Sequence, residues 1–373
     1  MRKIAERALW VLAILGFIVG LYGLYLRFAF GHEIASYGSY VPWGLWVAAY
    51  ITFIGTSAGA VGTAAVIFMN RRREHYGLAR LAILVALVTF IAGMLNIWLD
   101  LGHPFRAWRL YLHTSPTSVM GWMAWVYALY GILLLVGLWL TRGGDVPPLV
   151  ERYALIVLAF AVAFAGAEGA LFGVVSARPL WESGLTPLLF LVEGALFGVG
   201  LVTAVAYVFG HLSSTSASRL GSILLWLLAA LIIIEWAEFS IGLYAAVPSK
   251  SRTLQTILIG PYWWVFWIFH VALGIVIPGI LLLVRRGQPV IAGAAGALIA
   301  AMGLASKLNL VIPALAQEEI AGLSEAFTGP GLQFQYFPTL SEWLVFVWTV
   351  SLAGLLLLAG GAILKMVRTQ EVG

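Results

Sequence analysis

Seven ionisable side chains lie inside, or at the start of, runs of sequence too apolar to hold them without a reason. They are Glu168, Glu193, Glu235, Glu238, His270, Lys307 and Glu342. A charged side chain at the centre of a bilayer costs at least ~2.5–3.5 kcal/mol on insertion scales. Acids, an imidazole and an ammonium in such places either pair with one another or relay protons. Two of the acids open the same heptapeptide, EGALFGV, at 168–174 and again at 193–199. Each copy also carries Gly-x-x-x-Gly, a spacing that lets two helices approach closely, so packing is the plainer reading of the glycines. A second group, Asn96, Asp100 and His103, recurs at spacings of four and three before Pro104. On a continuing helix the three share a face. An amide, a carboxylate and an imidazole at the bilayer edge, among Trp98 and Trp108, suit a quinone headgroup, which needs a hydrogen-bond partner at each carbonyl and a proton exchanger nearby. An interfacial cap in an aromatic belt is the structural alternative. Tyr50, following Trp43 and Trp46 in another apolar run, is a packing residue or a ligand.

The elements that must position these groups are membrane helices. Of the 373 residues, 62% are hydrophobic and only 10% charged, against about 25% charged in soluble domains, and the mean hydropathy is +0.98. The apolar runs are continuous rather than alternating, so the expected class is an all-α polytopic membrane protein. Ten spans are expected, at roughly 8–29, 43–69, 78–99, 119–140, 152–175, 187–209, 221–247, 262–284, 290–314 and 342–366. Short connections make neighbouring spans antiparallel hairpins. Glu168, Glu193, Glu238, His270 and Lys307 then fall about 9–15 Å in from one common end of their helices, at 1.5 Å per residue. Five helices thus bring ionisable groups to one depth. Within the slab, Lys307 pairing with one Glu and His270 with another is the structural reading; a proton path or polar cavity is the functional one.

Fourteen of the 21 basic residues, among them Arg71, Arg72, Arg73, Lys365 and Arg368, gather on the side with the short connections. The positive-inside rule makes that side cytoplasmic, with both termini on it. The longer loops then face outward, where a partner would dock. The +5 net charge reads as topology and contact with anionic lipid, not as nucleic-acid binding. With no cysteine in the chain, a cysteine-held iron–sulfur cluster, cysteine-attached haem and internal disulfides are excluded. Only His270 among the histidines is well inside a span, so no bis-histidine haem site is expected. A proton- or ion-coupled transporter is the competing function for the charged slab.

Together, Trp43–Gly59 (WGLWVAAYITFIGTSAG), Asn96–Trp108 (NIWLDLGHPFRAW), Thr114–Tyr127 (TSPTSVMGWMAWVY) and Gly169–Pro187 (GALFGVVSARPLWESGLTP) resemble the NrfD family of polysulfide-reductase-type membrane subunits. Lys307–Ile312 (KLNLVI) and Phe337–Trp343 (FPTLSEW) look like its ten-helix branch, which includes hydrogenase-type and DsrP-type subunits. The resemblance implies two four-helix bundles, helices 2–5 (43–176) and 6–9 (187–315). A first helix (1–30) and a segment of outer loop and last helix (316–373) flank them. It implies a subunit in a prokaryotic plasma membrane that binds quinone, such as menaquinone, and holds no redox cofactor of its own. Electrons would pass to or from an extracytoplasmic, ferredoxin-like iron–sulfur subunit. Through it they would reach a catalytic subunit of molybdopterin, hydrogenase or cytochrome type. Smaller members contact quinone through a His on the second helix, where Tyr50 stands here, and a Tyr on the fifth, where Glu168 stands. The implied quinone contacts are Tyr50, Asn96, Asp100, His103, Trp122 and Glu168, with Asp100, His103 and Glu168 as proton-exchanging groups. Glu168 lies thirteen residues before Trp181 and Glu193 twelve after it. The two acids therefore share a depth on a hairpin and are expected to join the quinone pocket to the polar interior of the second bundle.

Overall fold

The computed structural model describes residues 2–364 and 366, apart from positions 116, 144–146, 319, 321 and 328. Lys365 and Arg368, two of the basic residues assigned to the short-loop side, lie outside the described residues. Among the described residues ten helices are long and apolar enough to cross a membrane, and there is no strand. They are α1 (Arg2–Phe30), α2 (Leu45–Met69), α3 (Tyr76–Asp100), α4 (Val119–Leu140), α5 (Leu149–Gly173), α6 (Thr186–Phe209), α7 (Ser214–Tyr244), α8 (Val265–Arg285), α9 (Pro289–Leu315) and α10 (Leu340–Ile363). The expected ten spans are all present.

Departures at the helix ends have local causes. α3 stops at Asp100 instead of running on to His103, because Leu101 is extended (φ −62°, ψ 136°) and Pro104 opens a separate 3-10 turn, Pro104–Arg106. The shared face expected for Asn96, Asp100 and His103 therefore ends at Asp100. α7 starts at Ser214, earlier than expected, since the Ser213 hydroxyl caps it by accepting the Ser216 N–H at 3.2 Å. The connection after α7 contains an amphipathic surface helix, Pro248–Leu258, that hydropathy alone does not reveal. α8 is π-helical over Val265–Val276 and α-helical over Ile277–Arg285. Pro278, with no N–H to give, removes one donor close to where the two registers meet.

In the interior lie α2, α3 and α6, while α1, α4, α7 and α8 turn much of their surface outward. α2 packs on α3, α5 and α6; α6 packs on α2, α5, α7 and α9; α8 rests on α9; α10 lies against α1 and α3. The central crossings are made by glycine. The Gly194-x-x-x-Gly198 face of α6 meets Gly55 and Gly59 of α2 so closely that a Cβ on Gly59 would stand 1.9 Å from the Gly194 carbonyl oxygen. On α6's other side Gly200 meets Gly296 of α9, where a Cβ on Gly296 would stand 2.4 Å from the Gly200 oxygen. Gly169, in the first heptapeptide copy, packs on Pro187 and Thr186 across the hairpin.

Gly59→Ala is expected to lower the melting temperature of the detergent-solubilised protein through an overpacking cost of about 1–3 kcal/mol. Gly62→Ala, whose Cβ would meet only a Leu158 methyl at 3.8 Å, leaves it unchanged or raised, since Ala is the better helix former. Equal melting temperatures for the two variants would refute the backbone crossing.

Candidate functional site

Three polar clusters are built into the apolar interior. The first joins α2, α4 and α5. The Tyr50 and Tyr127 hydroxyls are hydrogen-bonded to each other, and the Tyr127 hydroxyl donates to Glu168 Oε1 at 3.3 Å. Glu168 is 1% exposed, and its Oε2 has no hydrogen-bond partner among the described residues. Phe164 stands edge-on to the Tyr127 ring at 5.1 Å. Two hydroxyls in series, ending on a carboxylate with one oxygen unengaged, can take up a proton and hand it on.

The second cluster joins α6, α7, α8 and α9. Ser306 donates to Glu193 Oε1 and Lys307 to Glu193 Oε2, so both oxygens of this buried acid are engaged. The Lys307 ammonium also sits over the Phe190 ring, 3.5 Å from its centre. His270, on the π-helical stretch of α8, meets Glu235 at 2.9 Å and stacks on Phe266. Glu238 is held by Lys250 at 3.0 Å and by the Ser183 hydroxyl. Glu193, Glu235, Glu238, His270, Ser306 and Asn309 line one cavity. Asn309 and His270 Nδ1 are buried there without a hydrogen-bond partner among the described residues. Lys307 lies within electrostatic reach of Glu168 as well as His270, which makes it the charged neighbour common to the first two clusters.

The third cluster fastens α1, α3 and α10 at the long-loop end. Arg27, 3% exposed, donates to the Leu99 carbonyl at 2.8 Å and the Leu101 carbonyl at 2.7 Å, satisfying carbonyls that the end of α3 leaves open. Arg27 also bonds His32 Nε2 at 2.9 Å. Burial, then the Arg27 charge, holds the His32 imidazole below its usual range, so it accepts this bond as the neutral base. Asp100 lies beside Arg27, Tyr37 and Glu342. Asn96 reaches Thr349 of α10 at 3.1 Å. Glu342 accepts from the Tyr336 hydroxyl, from the Ser36 N–H at 2.9 Å and from the Thr339 N–H at 3.0 Å, closing a capping box on α10. Burial first, and then the nearby carboxylates, push the Tyr37 and Tyr336 hydroxyls above the usual tyrosine range.

The residues expected around one headgroup are thus divided. Tyr50 and Glu168 meet through Tyr127. Asn96 and Asp100 face α1 and α10, while Ile97, on another side of α3, packs against the same hydrophobic cluster as Tyr50. His103 and Trp122 are exposed at the long-loop end and on the outer face of α4. Of the expected charged slab, Glu193, Glu235, Glu238, His270 and Lys307 converge, and Glu342 is a helix cap. Tyr127, Ser306 and Arg27 are the groups the sequence reading passed over. The legible signals were Tyr127 closing a family-like stretch, a serine beside Lys307, and an arginine inside the first apolar run.

With this arrangement in view, the family profile described as polysulphide reductase, NrfD, matches residues 34–318. The chain belongs to that family, as the sequence resemblance implied, and with its ten apolar helices it is an integral membrane protein. It is 30% identical to a selenate reductase subunit of Mesobacillus selenatarsenatis over 87% of this chain and 86% of that one. It is 27% identical to the Hdr-like menaquinol oxidoreductase integral membrane subunit of Archaeoglobus fulgidus over 89% and 87%. The menaquinone reductase integral membrane subunit of Nitratidesulfovibrio vulgaris is 23% identical over 91% and 86%.

Breaking the buried pair on one side has a distinct expected outcome. Lys307→Met strands the Glu193 charge and costs about 3–5 kcal/mol, read as a drop in melting temperature. The double variant Glu193→Gln/Lys307→Met, which removes both charges, recovers most of that loss. A double variant as unstable as the single one would show that Lys307 acts through packing alone.

Proposed function

We propose that this chain is the quinone-reactive membrane subunit of a multisubunit respiratory oxidoreductase, working between a membrane menaquinone pool and an iron–sulfur partner outside the membrane. The names of two of its relatives carry menaquinol or menaquinone as substrate. The observation that carries the reading in this chain is the free Glu168 oxygen at the end of the Tyr50–Tyr127 chain. Oxidation of a quinol releases two electrons and two protons. Tyr50 and Tyr127 supply hydroxyls to orient a headgroup oxygen, and Glu168 is the base that takes the two protons one after the other, passing on the first before it accepts the second. The fit lies in the donor set: two neutral hydroxyls able to donate or accept, beside a carboxylate with an unengaged oxygen.

In this reading helices α2–α5 form the quinone-reactive half and α6–α9 the polar half. Protons leave Glu168 past Lys307 and Glu193 into the cavity of Glu235, His270 and Glu238. Electrons go straight to the partner's cluster and on to a catalytic subunit, since the chain has no cysteine to hold one. The long loops face the outside of a prokaryotic plasma membrane and the termini face the cytoplasm. Asp100, His103 and Asn96 lie apart from the headgroup contacts and act on the fastening of α1, α3 and α10 or at the surface.

In the purified complex, Glu168→Gln is expected to lower turnover with a soluble menaquinol analogue by about 10²-fold or more, with Tyr127→Phe less severe and Asp100→Asn close to wild type once stability is matched. Wild-type turnover in Glu168→Gln would overturn the assignment. Ion flux in proteoliposomes holding this chain alone would favour a transporter instead.

A further inference from the structure

The basic residues at the long-loop end are fewer than at the other, and the structure gives most of them internal work. Arg27 holds the end of α3. Arg178 bonds the Ala314 and Gln317 carbonyls at 3.0 and 3.2 Å. Lys250 pairs with Glu238, and Arg252 bonds the Pro248 carbonyl at 3.3 Å. Arg106 and Arg109 are different. Both are exposed, and among the described residues neither is paired with a carboxylate. They line an open cleft between the ends of α3 and α4 together with His103, His113 and Ser118, and no acidic residue is among the described residues that line it. The charge of this cleft does not serve the topology bias, which favours the opposite end, and among the described residues it enters no ion pair.

The surroundings of the cleft are apolar and face outward. Phe105 is 73% exposed and Leu112 71%. Below them, Val119, Met120, Leu129, Ile132 and Leu135 form an exposed stripe down the outer side of α4. The cleft therefore opens at the rim of the lipid-facing wall. Aromatic side chains such as Trp108, on which the Arg109 guanidinium lies at 5.5 Å, are at home at this depth. A guanidinium pair above an apolar track is the complement of a diacyl phosphate: the arginines hold the phosphate oxygens bidentately, and the acyl chains run along α4.

We propose that the cleft of Arg106 and Arg109 is a binding site for an anionic phospholipid of the membrane leaflet at the long-loop end, seated with its phosphate on the two arginines and its chains against the outer face of α4. The occupant is a lipid rather than a protein because the lining of the cleft runs into Met120 of the exposed apolar stripe on α4.

Native mass spectrometry of the purified, delipidated complex tests this, with phosphatidylglycerol and phosphatidylcholine titrated separately. Wild type is expected to hold phosphatidylglycerol at least about tenfold more tightly, from two exposed charges near a membrane surface. Arg106→Gln/Arg109→Gln is expected to lose most of that preference while keeping its melting temperature and its partner subunits. Equal affinity for the two lipids, or an undiminished preference in the variant, would overturn the proposal. Inorganic phosphate displacing phosphatidylglycerol at millimolar concentration would mark a free-anion site and overturn it too. A variant that sheds a partner subunit with its lipid preference intact would mark the cleft as a protein contact, again against the proposal.

Discussion

The close passage of α6 between α2 and α9 is the constraint on which the interior depends. Gly194 and Gly198 bring α6 against the glycines of α2, and Gly200 brings its other side against Gly296 of α9. Successive residues on a helix are turned by about 100°. With Gly194 fixed against α2, the adjoining Glu193 is turned towards α9, where Ser306 and Lys307 receive it. The ion pair that results is buried on both sides, Lys307 and Glu193 alike. Close packing and charge placement are thus one decision here, and they explain why the acid and the small residues travel together in the heptapeptide.

Much of this was readable from the residues, and what was not has physical reasons. Continuous hydropathy located ten spans because lipid permits only helices for such runs. The common depth of Glu168, Glu193, Glu238, His270 and Lys307 followed from helix rise alone; the last four converge, with Glu235 among them, while Glu168 turns to Tyr127. Which faces they share did not follow, since azimuth depends on how helices are rotated in the bundle. That is why Asn96 and Asp100, at an ideal spacing, turn to α1 and α10 while Tyr50 and Glu168 find a bridge in Tyr127. The stop at Asp100 was hidden by Pro104, which bars a helix beyond it but says little about the three residues before. The π-helical run of α8 was equally silent, because its pattern of apolar residues does not differ from an α-helical one. Family resemblance supplied the place of Tyr50 and Glu168, not the hydroxyl that joins them.

The two heptapeptide copies illustrate how one local sequence serves two ends. In the first, Gly169 packs on the start of its own hairpin partner, Thr186 and Pro187, and Glu168 turns to α4 and α2. In the second, the glycines carry the central crossing and Glu193 turns to α9. The first acid keeps an oxygen unengaged and the second has none to spare. Identical residues in identical local sequence therefore differ in their hydrogen bonding, one with an oxygen unengaged and one with both engaged, according to what the neighbouring helices offer.

The meeting of α1 with α10 carries a consequence for how the protein is made. Gly16, Gly20 and Gly23 of α1 receive Ser351, Trp348 and Leu344 of α10, with a Cβ on Gly20 standing 2.4 Å from Trp348. α1 is thus completed by a helix synthesised more than three hundred residues later. In the interval α1 has its glycine groove open to lipid, and its main polar hold on the described structure is Arg27 at the end of α3. Insertion of α10 closes that groove and brings Glu342 to the same corner. Assembly then includes a closure step of long chain separation, and a nascent chain stalled before α10 exposes a small-residue stripe, the kind of surface by which membrane helices find the wrong partner.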